Sequence, residues 1–190
     1  NWNYFVTTYS TTVNPPISIL KDRNGKNLSE LSFSSSDDLK LNGWQEPVEF
    51  KVKARDDKTD LYGIMYFPSN FNKNNKYPVL NYIYPGPQSG SVGNYSFYVF
   101  RRDFQALAEL GFIVVAVDAM GTPGRSKSFH DAYYGNMGDN GLPDNITTLK
   151  QLSRKYNSMD LSKVGIWGHS GGGFASTAAL FKFPDFYSVA

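Results

Sequence analysis

The chain has no cysteine. Disulfides, thiolate catalysis and cysteine-ligated metal sites are therefore excluded, while the compartment stays open. Histidine is scarce, with only His130 and His169. No H-E-x-x-H pair exists, so no metal site is expected. No run of roughly 18 apolar residues occurs, so no membrane span is expected. The net charge is only +2, which gives no footprint for nucleic acid or an anionic membrane. The run Gly171-Gly172-Gly173 is not followed by G-K-[ST], so it is not a phosphate loop. No motif asks for a cofactor.

What is present reads as globular. The 190 residues suffice for one good core plus an appendage. Apolar residues make up 41% and charged residues 19%, which excludes a disordered chain. Aromatics reach 16%, a surplus that suits stacked β-structure better than a helical bundle. Asn1-Trp2-Asn3-Tyr4 is not a signal peptide, and both ends read as cut, so an internal fragment is expected.

Two regions differ in pattern. Over residues 1–42, Tyr4 to Tyr9 and Ile17 to Leu20 read as short strands. Asn14-Pro15-Pro16 and Lys21 to Lys26 read as turns, and Ser32 to Asp38 as a linker. From about Gln45 the pattern becomes mixed. Phe50 to Ala54 and Leu61 to Phe67 predict an antiparallel pair, and Val79 to Tyr84 a third strand ended by Pro85-Gly86-Pro87. Phe104, Leu107 and Ala108 fall at helical spacing. Phe112 to Val117 is an unbroken apolar run, as in a strand covered on both faces. Ile146, Leu149, Leu152 and Tyr156 predict a helix with Asp144 as N-cap. Val164 to Trp167 reads as a short buried strand and Gly171 to Phe181 as helix. Strands alternating with helices predict an α/β fold with helices on both faces of a parallel sheet.

The motif that carries chemistry is Gly168-His169-Ser170-Gly171-Gly172-Gly173, a G-x-S-x-G placed between a buried strand and a small-residue helix. A turn sharp enough to lift a serine hydroxyl above the sheet strains the backbone and draws segments together. Side chains at Gly168 and Gly172 would then clash. The helix after Ser170 aims its free N–H groups at the reaction centre, which suits an oxyanion. Tyr84, at the end of the third strand, stands where such folds place an oxyanion loop, and its phenol could be a donor there; a tyrosine packing on the sheet is the alternative.

Further segments follow in order. Tyr84-Pro85-Gly86-Pro87 comes first, then Val117-Asp118 with Gly121-Thr122 and Gly124-Arg125. Tyr134-Gly135-Asn136-Met137-Gly138 with Asp144 comes next, and then the serine motif. Together they resemble the prolyl oligopeptidase family of serine peptidases, in its dipeptidyl-peptidase-IV-like branch, over roughly residues 50–190. The resemblance implies a truncated α/β-hydrolase fold preceded by a β-propeller. Residues 1–42 would be the propeller's last strands and a linker, and residues 43–190 the first part of the catalytic domain. It implies a peptide substrate, Ser170 as nucleophile, and the Gly171 N–H and Tyr84 hydroxyl as oxyanion donors. Gly168, His169 and Gly172 would shape the elbow. It also implies a weak lean to an extracytoplasmic place, periplasmic or secreted, and leaves a homo-oligomer open. One departure stands out: the family's Asp-Gly-Arg-Gly is here Asp118-Ala119-Met120-Gly121, without the arginine.

In this fold the catalytic acid and base follow the nucleophile in sequence, so both are expected beyond Ala190, and the 190 residues alone are expected to be inactive. His169 adjoins Ser170 and is expected to turn its ring away, into packing or the pocket rim. His130 reads as a solvated loop histidine, with a pocket contact as the alternative. Asp118 reads as a loop anchor and Arg125 as an ion pair in a loop or domain interface; His130 and Arg125 are both expected off the catalytic path. Asn27-Leu28-Ser29, Asn94-Tyr95-Ser96 and Asn145-Ile146-Thr147 match the glycosylation triplet. A carboxylesterase or lipase on the same fold, or a binding module with a vestigial elbow, are the rivals. The tyrosine loop disfavours the first, since those enzymes tend to use His-Gly-Gly-type loops, and the intact Ser170 disfavours the second.

Overall fold

The structure is a computed structural model that describes residues 2–190. Its centre is a five-stranded mixed sheet made of β4 (Val48–Lys53), β5 (Asp60–Tyr66), β6 (Tyr77–Tyr82), β7 (Ile113–Asp118) and β8 (Met159–Trp167). The spatial order is β4-β5-β7-β6-β8. β4 and β5 are antiparallel, as are β5 and β7, while β7, β6 and β8 run parallel. This is the α/β-hydrolase arrangement, with the parallel part joined by crossover helices.

The apolar run of β7 shows why the sheet is covered on both faces. Ile113, Val115 and Val117 point into one apolar cluster and Val114 and Ala116 into another, all at most 1% exposed. The first cluster is closed by α4 (Leu142–Lys155), through Leu142, Ile146, Leu149 and Leu152, and by α5 (Gly171–Lys182), through Ala175 and Ala179. The second is closed by α2 (Phe104–Glu109), through Phe104 and Ala108. Two-fold alternation in the strand thus sorts its side chains between two helical layers.

Residues before the central sheet form a second, smaller unit. β1 (Tyr4–Tyr9), β2 (Ile17–Asp22) and β3 (Asn27–Phe33) make an antiparallel three-stranded sheet. The turn between β2 and β3 follows from its residues: Asp22 Oδ1 accepts from the N–H groups of Asn24 and Lys26, and Gly25 takes φ +86°. β3 had not been expected, and its last residues overlap the stretch read as linker. The rest of that stretch leads into α1 (Asp37–Leu41), a single turn of helix. Tyr4, Val6, Tyr9, Leu28, Leu31 and Phe33 of this small sheet remain exposed. It touches the main body through Thr12, which donates to Glu49 at 2.5 Å, and Ser10, which accepts from the Phe97 N–H at 3.1 Å.

Asp144 is not the N-cap of α4. The helix begins earlier, with Gly141 at the cap in a left-handed conformation, φ +64°. Asp144 sits in the first turn, fully buried, where its charge favours the helix N-terminus. Its partner comes from the distant end of β4. Arg55 gives its backbone N–H and Nε to Asp144 Oδ1, both at 2.9 Å, and its Nη2 to Oδ2 at 3.1 Å. Met120, just after β7, donates its N–H to the same Oδ2. One carboxylate therefore ties β4, the β7 loop and α4 together. The guanidinium also grips Asp139 at 2.5 and 2.8 Å. Burial alone would raise the Asp139 carboxyl, but its hydrogen bond to the Arg55 cation holds it below the usual range. Cutting the arginine away would leave Asp144 charged and unpaired in the core. Arg55→Ala should lower stability by about 3–5 kcal/mol, read as a drop in the urea midpoint, whereas breaking the exposed Lys127–Asp131 pair should cost less than about 1 kcal/mol.

Candidate active site

β8 carries the chain to the elbow. Val164 and Ile166 are pinned in one core layer, while Trp167 faces the other and packs edge-on against Tyr82 and Phe104. With the strand fixed on both sides, the chain leaves it at Gly168, passes Ser170 and enters α5 at Gly171. Ser170 has φ +53° and ψ −113°, a sparsely populated conformation for a residue with a side chain. It is exposed, and no side chain among the described residues hydrogen-bonds its hydroxyl. The turn is closed behind it by Gly172 N–H to His169 O at 2.7 Å and Phe174 N–H to Ser170 O at 3.0 Å.

The glycines on either side have a direct steric cause. A Cβ on Gly168 would lie 2.1 Å from the Ile83 carbonyl oxygen, and one on Gly172 would lie 2.2 Å from that same oxygen. The same Gly172 Cβ would stand 3.6 Å from Tyr84 Cα. The Ile83 N–H donates to Trp167 O at 2.9 Å. The end of β6 is thus pressed against the elbow, and Tyr84 is its neighbour. Gly171 differs, since a Cβ there would meet nothing within 4 Å. Its N–H makes no backbone hydrogen bond among the described residues.

Strand register levels the strand ends. Tyr82 of β6 pairs with Ala116 of β7 and with Trp167 of β8. Just beyond these pairs the chain places Tyr84 after β6, Asp118 at the end of β7 and His169 after β8. Tyr84 is half-buried, and its N–H donates to the Ser91 hydroxyl at 2.9 Å. Asp118 is a loop anchor: its Oδ1 accepts from the Val92 N–H at 2.9 Å. A Cβ on Gly90 would lie 2.3 Å from that oxygen, so the loop approaches closely only because residue 90 is glycine. Sequence reasoning missed Ser91; the one available signal was its place in a Ser-Gly-Ser run after the Pro-Gly-Pro turn. A shallow cleft of about 260 Å³ lies between that turn and the helix, lined by Pro85, Pro87, Met137, Asn140, Gly171 and Phe174.

The other expectations divide. His169 is exposed, so packing does not describe it. His130 is not a solvated loop histidine. It ends α3 (Lys127–His130), and its Nε2 meets the Pro87 carbonyl at 2.8 Å. Arg125 forms no ion pair among the described residues. Its guanidinium lies 4.1 Å from the Phe129 ring centre and 5.4 Å from that of Tyr62, and it donates to the Asp60 carbonyl. Its neighbours are aromatic faces and not a carboxylate. The Asn145 triplet is unavailable for modification, because Asn145 is 1% exposed and bonded to Asn81 and Gly141. Among the described residues no cluster of histidine, aspartate and glutamate could hold a metal, and no helix is long and apolar enough to cross a membrane.

Residues 98–190 match the sequence profile of the prolyl oligopeptidase family. The chain belongs to that family. It is 37% identical over 130 residues to human dipeptidyl peptidase 8, an alignment covering 68% of this chain and 14% of the relative. The fold superimposes on the crystal structure of Porphyromonas gingivalis dipeptidyl peptidase 4 with a TM-score of 0.82 at 25% identity, over 98% of this chain and 26% of that one. A Bacteroides ovatus crystal structure gives a TM-score of 0.84 at 28% identity, over 97% and 26%. The chain therefore spans only a small part of the length of its relatives.

Two outcomes check this geometry. Gly172→Ala would drive a methyl into the Ile83 carbonyl, so it should cost about 1–3 kcal/mol in chemical denaturation. Gly171→Ala, which meets open space, should cost less than half as much. Asp118 supplies a pH test. Burial raises its carboxyl from 3.8 to about 6, against the opposing pull of the Val92, Ser91 and Gly93 N–H groups. The folded state then holds a proton that the unfolded state has released. Its stabilising contribution is complete below about pH 4 and fades as pH rises through about 6. The unfolding free energy should fall over that window more steeply in the native sequence than in Asp118→Asn.

Proposed function

We propose that this chain carries the nucleophile and oxyanion hole of a serine peptidase that cleaves short peptides by acyl transfer. The observation that carries the reading is the contact of Gly168 and Gly172 with the end of β6. The elbow carries a strained, exposed Ser170 and an unengaged Gly171 N–H, and its Gly172 packs close to the backbone of Tyr84. Ser170 gives its proton to the base and attacks the scissile carbonyl, and the oxyanion rests on the Tyr84 hydroxyl and the Gly171 N–H; the C–N bond then breaks, the amine leaves with that proton, and water hydrolyses the Ser170 ester to release the acid and restore the hydroxyl. Gly168, His169 and Gly172 form the elbow.

Neither histidine present can be the base. His130 is engaged with Pro87, and His169 precedes Ser170 on the elbow with no hydrogen bond to it. The base and its acid partner come from outside these 190 residues, as the small share of the relatives' length supports. Residues 1–42 read best as the last strands of a β-propeller, because their sheet leaves apolar side chains such as Phe33 at 72% exposure with no layer over them. The relatives' names as dipeptidyl peptidases support a peptide substrate.

A phenol donor strengthens its bond as charge develops on the carbonyl oxygen, so its loss should raise the barrier more than it weakens binding. In the complete enzyme, Tyr84→Phe should lower kcat about a hundredfold and KM by less than about threefold, and Ser170→Ala should abolish turnover. Full kcat in Tyr84→Phe, measured on a chromogenic aminoacyl-proline amide, refutes the oxyanion role.

A further inference from the structure

The loop that follows Tyr84 is poor in its own means of support. Pro85 and Pro87 have no N–H. That leaves the loop with fewer backbone donors of its own, and the carbonyls of Gly86 and Pro87 are met by side chains instead. Both side chains come from the same segment. The Tyr133 hydroxyl donates to Gly86 O at 3.1 Å, and His130 Nε2 stands 2.8 Å from Pro87 O. A carbonyl only accepts, so this histidine nitrogen carries the proton.

The donors are themselves held. Tyr133 is 6% exposed, and its ring fills the space a side chain at Gly121 would need: a Cβ there would lie 1.8 Å from the ring edge. Gly121 has φ +101°, and its N–H donates to Phe129 O at 2.8 Å. Phe129, one residue before His130, is buried. Gly86 is packed in turn against this segment, since a Cβ on it would lie 2.8 Å from Gly121 O. On the near side, Ser91 fixes the Tyr84 N–H. The loop is thus held at Tyr84, Gly86 and Pro87, and two of its three clamps are side chains from one short segment.

We propose that Tyr133 and His130 are positioning residues that set the height of the Tyr84 phenol over the elbow, which rests on the reading of Tyr84 as oxyanion donor. A donor must sit within hydrogen-bond reach of where the charge develops, and a shift near 1 Å forfeits much of its effect. Both residues act through Tyr84 and touch no reacting atom. Their loss should therefore appear in kcat and vanish when the phenol hydroxyl is already gone.

The test is a set of double-mutant cycles in the complete enzyme, with kcat and KM measured on a chromogenic aminoacyl-proline amide. Tyr133→Phe keeps the ring against Gly121 and removes only the hydroxyl, and melting temperature reports any general loss of fold. Tyr133→Phe and His130→Ala should each lower kcat about tenfold with KM changed less than about twofold. In a Tyr84→Phe background each should change kcat less than about twofold. His130→Gln, whose amide can donate to the same carbonyl, should restore most of the loss. Unchanged kcat in both single variants overturns the proposal, as do losses that multiply with that of Tyr84→Phe. If Tyr84→Phe alone keeps full kcat, the oxyanion reading fails and takes this proposal with it. If it alone shows a large loss, the oxyanion reading survives and only the clamp is refuted.

Discussion

One carbonyl oxygen, that of Ile83, sets the geometry of the site. Both Gly168 and Gly172 face it at distances that no Cβ could share. Two points on the elbow are therefore packed against one point at the end of β6, with no room for a side chain at either. The backbone strain at Ser170 follows from the same constraint. A chain that must leave β8, approach β6 closely and turn at once into α5 has no relaxed conformation for the residue at the apex. The surrounding sheet maintains that conformation through the buried side chains on either side of it.

The supports around this contact differ in kind. Apolar packing fixes the strands, but the loop beyond β6 is fixed by polar contacts. Asp118 holds the segment with Ser91, Ser91 holds the Tyr84 N–H, and Tyr133 holds Gly86. These bonds are directional and specify position, whereas burial mainly specifies that parts come together. Asp144 does the same on the opposite side of the sheet, where it joins β4, the β7 loop and α4 at one carboxylate. At Met120 it is the backbone N–H that reaches Asp144.

How much of this was legible follows from which forces leave a mark in sequence. The apolar run ending at Val117 and the G-x-S-x-G after Val164 to Trp167 announced buried strands and an elbow, because burial period and glycine spacing are local signals. β3 left no such mark, since every residue from Asn27 to Phe33 is exposed and no two-fold pattern of burial is imposed. Asp144 looked like a cap because acids suit helix starts. Its partner Arg55 lies 89 residues away, a pairing that no local pattern encodes. His130 was misread for the same reason, as its partner Pro87 is 43 residues distant. The local chemistry of the elbow was readable, but the polar contacts that hold its neighbours in place were not.

Topology explains why residues so far apart in the chain meet. The three parallel strands share one direction, so their carboxyl ends open on the same edge of the sheet, and loops from all of them reach one place. Register brings the strand ends level: Tyr82 pairs with both Ala116 and Trp167, and the loops that follow start from there. β6 then contributes Tyr84, β7 contributes Asp118, and β8 contributes Ser170. A slip of one residue in β6 would send Tyr82 to the opposite face and move the Ile83 oxygen away from both glycines. The register of a buried strand and the position of the half-buried Tyr84 are therefore one constraint. The core that fixes β6, with Val79 wholly buried and Tyr82 wedged between Phe104 and Trp167, acts on the site as directly as the residues that line it.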